Sequence, residues 1–184
     1  MTGPVLLDLD AFVETIGDLT GPGLVPKTVQ DFLAGTRIAP SALEPLLRFE
    51  EGRYTRTLVH RTDAVEVLVL CWRRGSHAPI HGHEGELCWA RVERGRLRFS
   101  SYREVSRSPL RLEPVGGPVD GGPGHVDGPA DLHAVDNAVD FGSDAVSLHV
   151  YCRPYAECDI YDLAQGTVRR VRLGYDAVRA PAAR

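Results

Sequence analysis

His81 and His83 stand two residues apart inside a glycine frame, Gly75-x5-His81-Gly82-His83-x4-Cys88-x6-Gly95, and no other feature constrains the fold so tightly. Side chains alternate between the two faces of a β-strand, so residues i and i+2 point the same way. Two imidazoles can therefore reach one divalent metal with no distortion of the backbone. Gly75 and Gly95 mark turns at the two ends of the segment, which reads as a metal-bearing hairpin.

From about Tyr54 the chain breaks into short alternating or apolar runs bounded by Gly and Pro. These predict strands at Tyr54–His60, Ala64–Arg73, Ala78–His83, Leu87–Glu93, Leu97–Tyr102, His133–Asn137, Ala145–Cys152 and Thr167–Leu173. Many short strands in sequence predict a barrel or jelly roll. Residues 1–50 read as helical. Asp8 or Asp10 can cap a helix through Leu9, Phe12, Ile16 and Leu19, ended by Gly21-Pro22-Gly23. A second helix carries Val29, Phe32 and Leu33 and stops at Gly35; a third begins near Pro40-Ser41 and carries Leu43, Leu46 and Leu47. The Gly- and Pro-rich stretch Val115–Pro129 is expected to be a long mobile loop within the barrel. Val178–Arg184 is expected to fray. At 184 residues the chain suits one domain: a helical segment over 1–50, a barrel over 51–175 and a tail over 176–184.

With 21 basic and 25 acidic side chains the net charge is −4, which gives no drive toward nucleic acid or anionic membrane. Arg91, Arg94, Arg96, Arg98 and Arg103 are interleaved with Glu93 and Glu104 and are expected to form a solvated strand face. The N-terminus lacks a basic start, and the longest apolar run, Val67–Trp72, is far short of the ~20 residues a membrane helix needs. A soluble, cytoplasmic protein is expected. Four scattered cysteines with no Cys-x-x-Cys pair support neither a disulfide scaffold nor a structural zinc site. Cys71 is expected in the core.

A third metal ligand has two candidates. His133 lies in Leu132-His133-Ala134-Val135-Asp136-Asn137; His125 lies in the Gly/Pro stretch, where its ring would be poorly fixed, and His133 is preferred. The glycine frame resembles the first motif of the cupin superfamily, with Cys88 where that motif usually has glutamate. His133-x3-Asn137 resembles the end of the second cupin motif. Within the cupins the chain resembles cysteine dioxygenase, a thiol dioxygenase family, from about Arg53 to Asp162, with a weaker helical match before it. Arg53-Tyr54-Thr55-Arg56-Thr57-Leu58-Val59 looks like the family's substrate-carboxylate segment, and Leu70-Cys71-Trp72 leads into Pro79-Ile80-His81-Gly82-His83. The segment around His133 looks like the third-ligand segment, and Val146-Ser147-Leu148-His149-Val150-Tyr151 like the relay strand.

The resemblance implies a mainly β cupin double-stranded β-helix with an N-terminal helical segment. It also implies non-haem Fe(II) on His81, His83 and His133, and oxidation of L-cysteine by O2 to cysteine sulfinate. Three neutral imidazoles leave a metal its full positive charge and suit an anionic thiolate ligand. By resemblance Arg56 holds the substrate carboxylate, its fork matching two oxygens, with Tyr54 beside it. Ser147 orients His149, which polarises the Tyr151 hydroxyl, and Cys88 forms a thioether crosslink to the Tyr151 ring. The partners implied are a small thiol and O2, with no nucleic acid or membrane, and a monomer is expected. Another small thiol carboxylate, such as 3-mercaptopropionate or homocysteine, is the near alternative; a non-catalytic metal-binding cupin for a small acid is the distant one. Arg56 favours cysteine, since 3-mercaptopropionate dioxygenases generally have glutamine there.

Two departures from the family stand out. Leu87 precedes Cys88, where animal members carry histidine. Cys152-Arg153-Pro154 replaces Ser-Pro-Pro, whose cis peptide shapes the substrate pocket. A cis bond before a residue other than proline costs ~3–4 kcal/mol against ~0.5–1 before proline. The pocket wall is therefore expected to differ there, and Arg153 to bring a second cation near the site.

Overall fold

A computed structural model describes residues 3–180. The first fifty residues carry β1 (Val5–Leu7), α1 (Leu9–Leu19), α2 (Pro26–Gly35), β2 (Thr36–Ile38) and α3 (Pro40–Leu43). Asp8 caps α1, its carboxylate accepting from the Ala11 N–H at 2.8 Å, and Pro26 opens α2, where a missing N–H costs nothing. β1 and β2 pair in parallel.

The barrel follows: β3 (Tyr54–Arg61), β4 (Glu66–Trp72), β5 (His77–Gly82), β6 (Leu87–Arg94), β7 (Leu97–Arg107), β8 (Leu110–Pro114), β9 (Val119–Gly121), β10 (Val126–Asp127), β11 (Leu132–Asp136), β12 (Ala145–Cys152), β13 (Glu157–Asp162), β14 (Thr167–Arg172) and β15 (Ala177–Val178). One sheet runs β10-β6-β12-β4-β3-β15; the other runs β14-β13-β5-β11-β7-β8, with β9 also on β7. Facing each other, they make the expected jelly-roll barrel.

Every residue of β4 and β12 is buried, and their alternation divides the interior in two. Val67, Val69 and Cys71, with Val146, Leu148 and Val150, point out of the barrel against Phe12, Ile16, Val29 and Leu33 of the helices. Leu68, Leu70 and Trp72 point inward and meet Ala78, Leu97, Phe99 and Val135 of the other sheet. A side chain such as Phe12, fully buried, contributes roughly 1.5–3 kcal/mol by leaving water. Gly95, in the turn between β6 and β7, has φ +75°, and a Cβ there would lie 2.4 Å from the Asp144 carbonyl oxygen.

Three expectations change. The Val115–Pro129 stretch is pinned to the barrel, since β9 pairs with β7 and β10 with β6. The start of the tail is held as well: Ala177 and Val178 pair with Thr57 and Leu58, and the Arg179 N–H donates to the Leu58 carbonyl at 2.7 Å. Residues 181–184 of that tail lie outside the described residues. Arg91 is not solvated like Arg94 and Arg96; it is fully buried. Its guanidinium donates to the Leu33 and Thr36 carbonyls at 3.0 and 3.1 Å and to Glu93 at 2.5 Å. The open carbonyls at the C-terminal end of α2 need donors, and a cation there also favours the helix dipole. Among the described residues no helix is long and apolar enough to cross a membrane.

Candidate active site

The two sheets bring different chemistry to one cavity. The seven-stranded sheet carries histidines. His81 lies on β5, His83 just beyond its end, and His133 sits opposite His81 on β11. The three ring centroids are 4.7–5.1 Å apart, and one ligand nitrogen from each lies within 4.8 Å of the others. His125, the rival third ligand, is absent from this cluster; its ring packs against Phe99 at 5.5 Å.

Each imidazole is steered from behind through Nδ1. His81 Nδ1 lies 2.9 Å from the Pro79 carbonyl oxygen and His83 Nδ1 2.9 Å from that of Ala130. Carbonyl oxygens only accept, so these nitrogens carry the hydrogen and Nε2 keeps its lone pair. His133 Nδ1 lies 3.3 Å from Asp127 Oδ2. His83 Nε2 is buried with no hydrogen-bond partner, which suits a cation in the centre of the cluster. Burial, then the neighbouring His133, pushes His81 down to about 3, and the same two causes hold His83 well below the usual histidine range. Neutral imidazoles are what a metal requires.

The six-stranded sheet carries the organic groups. On β12, Ser147, His149 and Tyr151 alternate onto the inner face and connect in series. Trp72 Nε1 donates to Ser147 Oγ at 2.9 Å, Ser147 Oγ lies 2.9 Å from His149 Nε2, and His149 Nδ1 lies 3.3 Å from the Tyr151 hydroxyl. Burial depresses His149 and raises the Tyr151 phenol, the latter aided by Cys88. Cys88 sits directly across from Tyr151 in the β6–β12 register. All four cysteines are buried and none is in a disulfide.

On β3, Tyr54 stacks on Trp72 at 4.7 Å, and Arg56 is about nine-tenths buried. Arg56 donates to the Gly174 carbonyl at 3.2 Å, and its guanidinium lies 3.7 Å from the buried Glu66 carboxylate and 5.7 Å from the centre of the Tyr175 ring. Tyr54, Arg56, His81, Tyr151, Tyr155 and Cys158 line a cavity of about 430 Å³. Burial disfavours the Arg56 charge, but the electron-rich groups around it, Tyr151, Tyr54 and Glu66, hold its pKa above the ordinary value.

Of the residues singled out from the sequence, Tyr54, Arg56, His81 and Tyr151 line this cavity; His83 and His133 join it through His81, and Ser147, His149 and Cys88 through Tyr151, while other residues are added. Trp72 feeds the Ser147 end of the chain of hydrogen bonds, and Tyr155 packs edge-on to Tyr151 at 5.5 Å. Asp127 lies in the stretch expected as a loop, Gly174 and Tyr175 just past the last expected strand, and Asp176 at the start of the expected tail. Arg153 corrects an expectation: its side chain is exposed and bonded to Glu86 at 3.1 Å, so it brings no second cation to the cavity. The Cys152–Arg153 peptide is cis, so the expected difference in the wall does not arise from a trans bond. Leu87 packs against the outer core, away from the site.

A family model described as cysteine dioxygenase type I matches residues 27–164, from α2 through β13. The chain belongs to the cysteine dioxygenase family. Cysteine dioxygenase type 1 of Danio rerio is 26% identical over 153 residues, covering 81% of this chain and 76% of its own. That of Homo sapiens is 24% identical over 161 residues, covering 84% and 80%. Among solved structures, a cupin superfamily protein of Desulfitobacterium hafniense aligns at 15% identity and a TM-score of 0.47, over 64% of this chain and 92% of that one. As a member of the cysteine dioxygenase family the chain is an enzyme, a thiol dioxygenase, on a cupin barrel.

Proposed function

We propose that this enzyme oxidises L-cysteine with O2 to cysteine sulfinate, using Fe(II) held by His81, His83 and His133. The observation that carries the reading is the juxtaposition of a three-histidine cluster, which reaches the cavity through His81, with a buried arginine and a buried tyrosine on the same cavity. When bound, iron would supply a Lewis-acidic centre for a thiolate and a redox-active site for O2, while the four electrons that reduce O2 come from the sulfur. Both oxygen atoms end on sulfur, so no external reductant is needed.

The chain's own groups do the rest. Arg56 offers its fork to the substrate carboxylate, and Tyr54 lines the same wall. The surrounding Tyr54, Tyr151 and Tyr155 rings narrow the cavity to a small acid. Trp72 Nε1 can only donate, so Ser147 accepts from it and turns its own hydrogen toward His149 Nε2. A neutral His149 then carries its hydrogen on Nδ1, facing the Tyr151 oxygen. That leaves the Tyr151 hydrogen free to turn into the cavity, where the hydroxyl donates to the reacting groups. The pairing of Cys88 with Tyr151 across the β6–β12 register supports a thioether crosslink between them, which would hold the phenol in this orientation.

O2 consumption by the Fe(II)-loaded protein with L-cysteine, alongside assay of cysteine sulfinate, tests the proposal. One O2 per sulfinate is expected. Equal rates with 3-mercaptopropionate, which lacks the amine, would defeat the cysteine assignment in favour of a broader thiol carboxylate specificity.

A further inference from the structure

The three imidazoles of the cluster are not held alike. His81 and His83 donate through Nδ1 to backbone carbonyls, of Pro79 and Ala130, which are neutral. His133 alone faces a side-chain carboxylate, Asp127 Oδ2 at 3.3 Å. Hydrogen bonds to a charged acceptor are roughly twice as strong as neutral ones, and they push electron density onto the far nitrogen of the ring.

Asp127 and Ala130 belong to one short strap. It leaves β10, where Asp127 pairs with Ala90 of β6, and returns in β11 at Leu132. The Ala130 N–H donates to the Cys88 carbonyl at 3.2 Å. Between them the strap runs so close to β6 that a Cβ on Gly128, at φ +110°, would lie 2.3 Å from the Cys88 oxygen. Four consecutive residues therefore orient two of the three imidazoles. The Asp127 side chain is mostly buried, and its contact with His133 owes nothing to a flexible surface arm.

We propose that Asp127 is a positioning residue that fixes the His133 ring with Nε2 toward the centre of the cluster and makes His133 the most strongly donating of the three imidazoles. The inference rests on the reading of the cluster as a metal site, and a metal-free readout keeps the two separable.

In metal-free protein with 15N-labelled histidine, His133 is expected as the Nδ1–H tautomer, and Asp127→Ala is expected to convert it to a tautomer mixture. In the same variant, Co(II) affinity measured by chelator competition is expected to fall about 10–100-fold. Asp127→Asn keeps an accepting carbonyl in nearly the same volume, so it guards against a folding defect; a smaller affinity loss with the tautomer retained is expected. Asp131→Asn makes the same charge change two residues from His133, at an exposed position, and is expected to move neither readout. Co(II) affinity within twofold of native in Asp127→Ala, or an equal loss in Asp131→Asn, would overturn the role of Asp127. Failure of the native protein to bind Co(II), with the tautomer as expected, would instead defeat the three-histidine reading and with it the donor role of His133.

Discussion

The two walls of the cavity are built on different foundations. The six-stranded sheet, which bears Arg56, Ser147, His149 and Tyr151, is packed on both faces, outward on the helices and inward on the other sheet. Among the described residues, the seven-stranded sheet, which bears the histidines, contributes no buried side chain to the core packed on the helices. Its outer face is polar, as in the alternating second half of β7, and carries ion pairs such as Arg107 with Glu104 and Asp159. Side chains on the first wall are over-determined by packing, so their orientation follows from the core. The imidazoles on the second depend on a few local hydrogen bonds, and a cation at their centre adds what the packing does not.

Removing a metal ligand should have the largest effect. His133→Ala is expected to abolish metal retention and turnover together, by metal analysis of the purified protein and O2 uptake, while thermal unfolding without metal changes little. Retained iron with full turnover would remove His133 from the ligand set and erase the distinction between the walls. Next is an attack on the doubly packed wall from outside. Phe12 is fully buried against the outer face and stacks 5.3 Å from the Arg91 guanidinium. Phe12→Ala is expected to cost about 3–5 kcal/mol in denaturant unfolding. The folded fraction should still bind Co(II) with native affinity; a comparable loss of affinity would mean that the histidine wall also leans on the helices.

Much of this division was legible in the sequence, and the reason lies in periodicity. Ala145–Cys152 was delimited as observed because an apolar run with polar residues at alternate positions has one strand reading, and that reading puts Ser147, His149 and Tyr151 on one face. The Gly75–Gly95 frame likewise fixed where His81 and His83 turn. β9, β10 and β13 were missed because two- or three-residue pairings, and a strand such as Glu157–Asp162 with charges at both ends, carry no periodic signal. The burial of Arg91 was illegible for another reason. An arginine that answers helix carbonyls from a neighbouring strand has the same local sequence as one in water. Asp127 was hidden by composition: Gly and Pro around it read as a loop, although here Gly permits close approach to β6.

A smaller effect should come from Arg56. Arg56→Gln is expected to raise the KM for L-cysteine about 10–100-fold, from the loss of charge-assisted bonds worth about 1.5–3 kcal/mol, with metal content unchanged. An unchanged KM would place the substrate carboxylate elsewhere in the cavity.

The comparison that sets the walls side by side most directly is stability against pH in the metal-free protein, where the change sought is the share of a single histidine. Burial is the main cause that keeps His81, His83 and His149 below the usual histidine range, with His81 down to about 3. In the unfolded chain the same residues take up protons near pH 6.5. Between those values the unfolded state binds more protons than the folded one, so stability rises with pH through this window and is fully present above it. On acidification below about 6.5, each such histidine is expected to add a slope of about 1.4 kcal/mol per pH unit, read from urea midpoints between pH 7.5 and 5. His149→Gln should remove one share, that of the relay wall, and leave the two of the metal wall. If that single substitution flattened the whole profile, His81 and His83 would be protonated as readily in the fold as out of it, and the metal wall would not be holding neutral imidazoles in readiness for a cation.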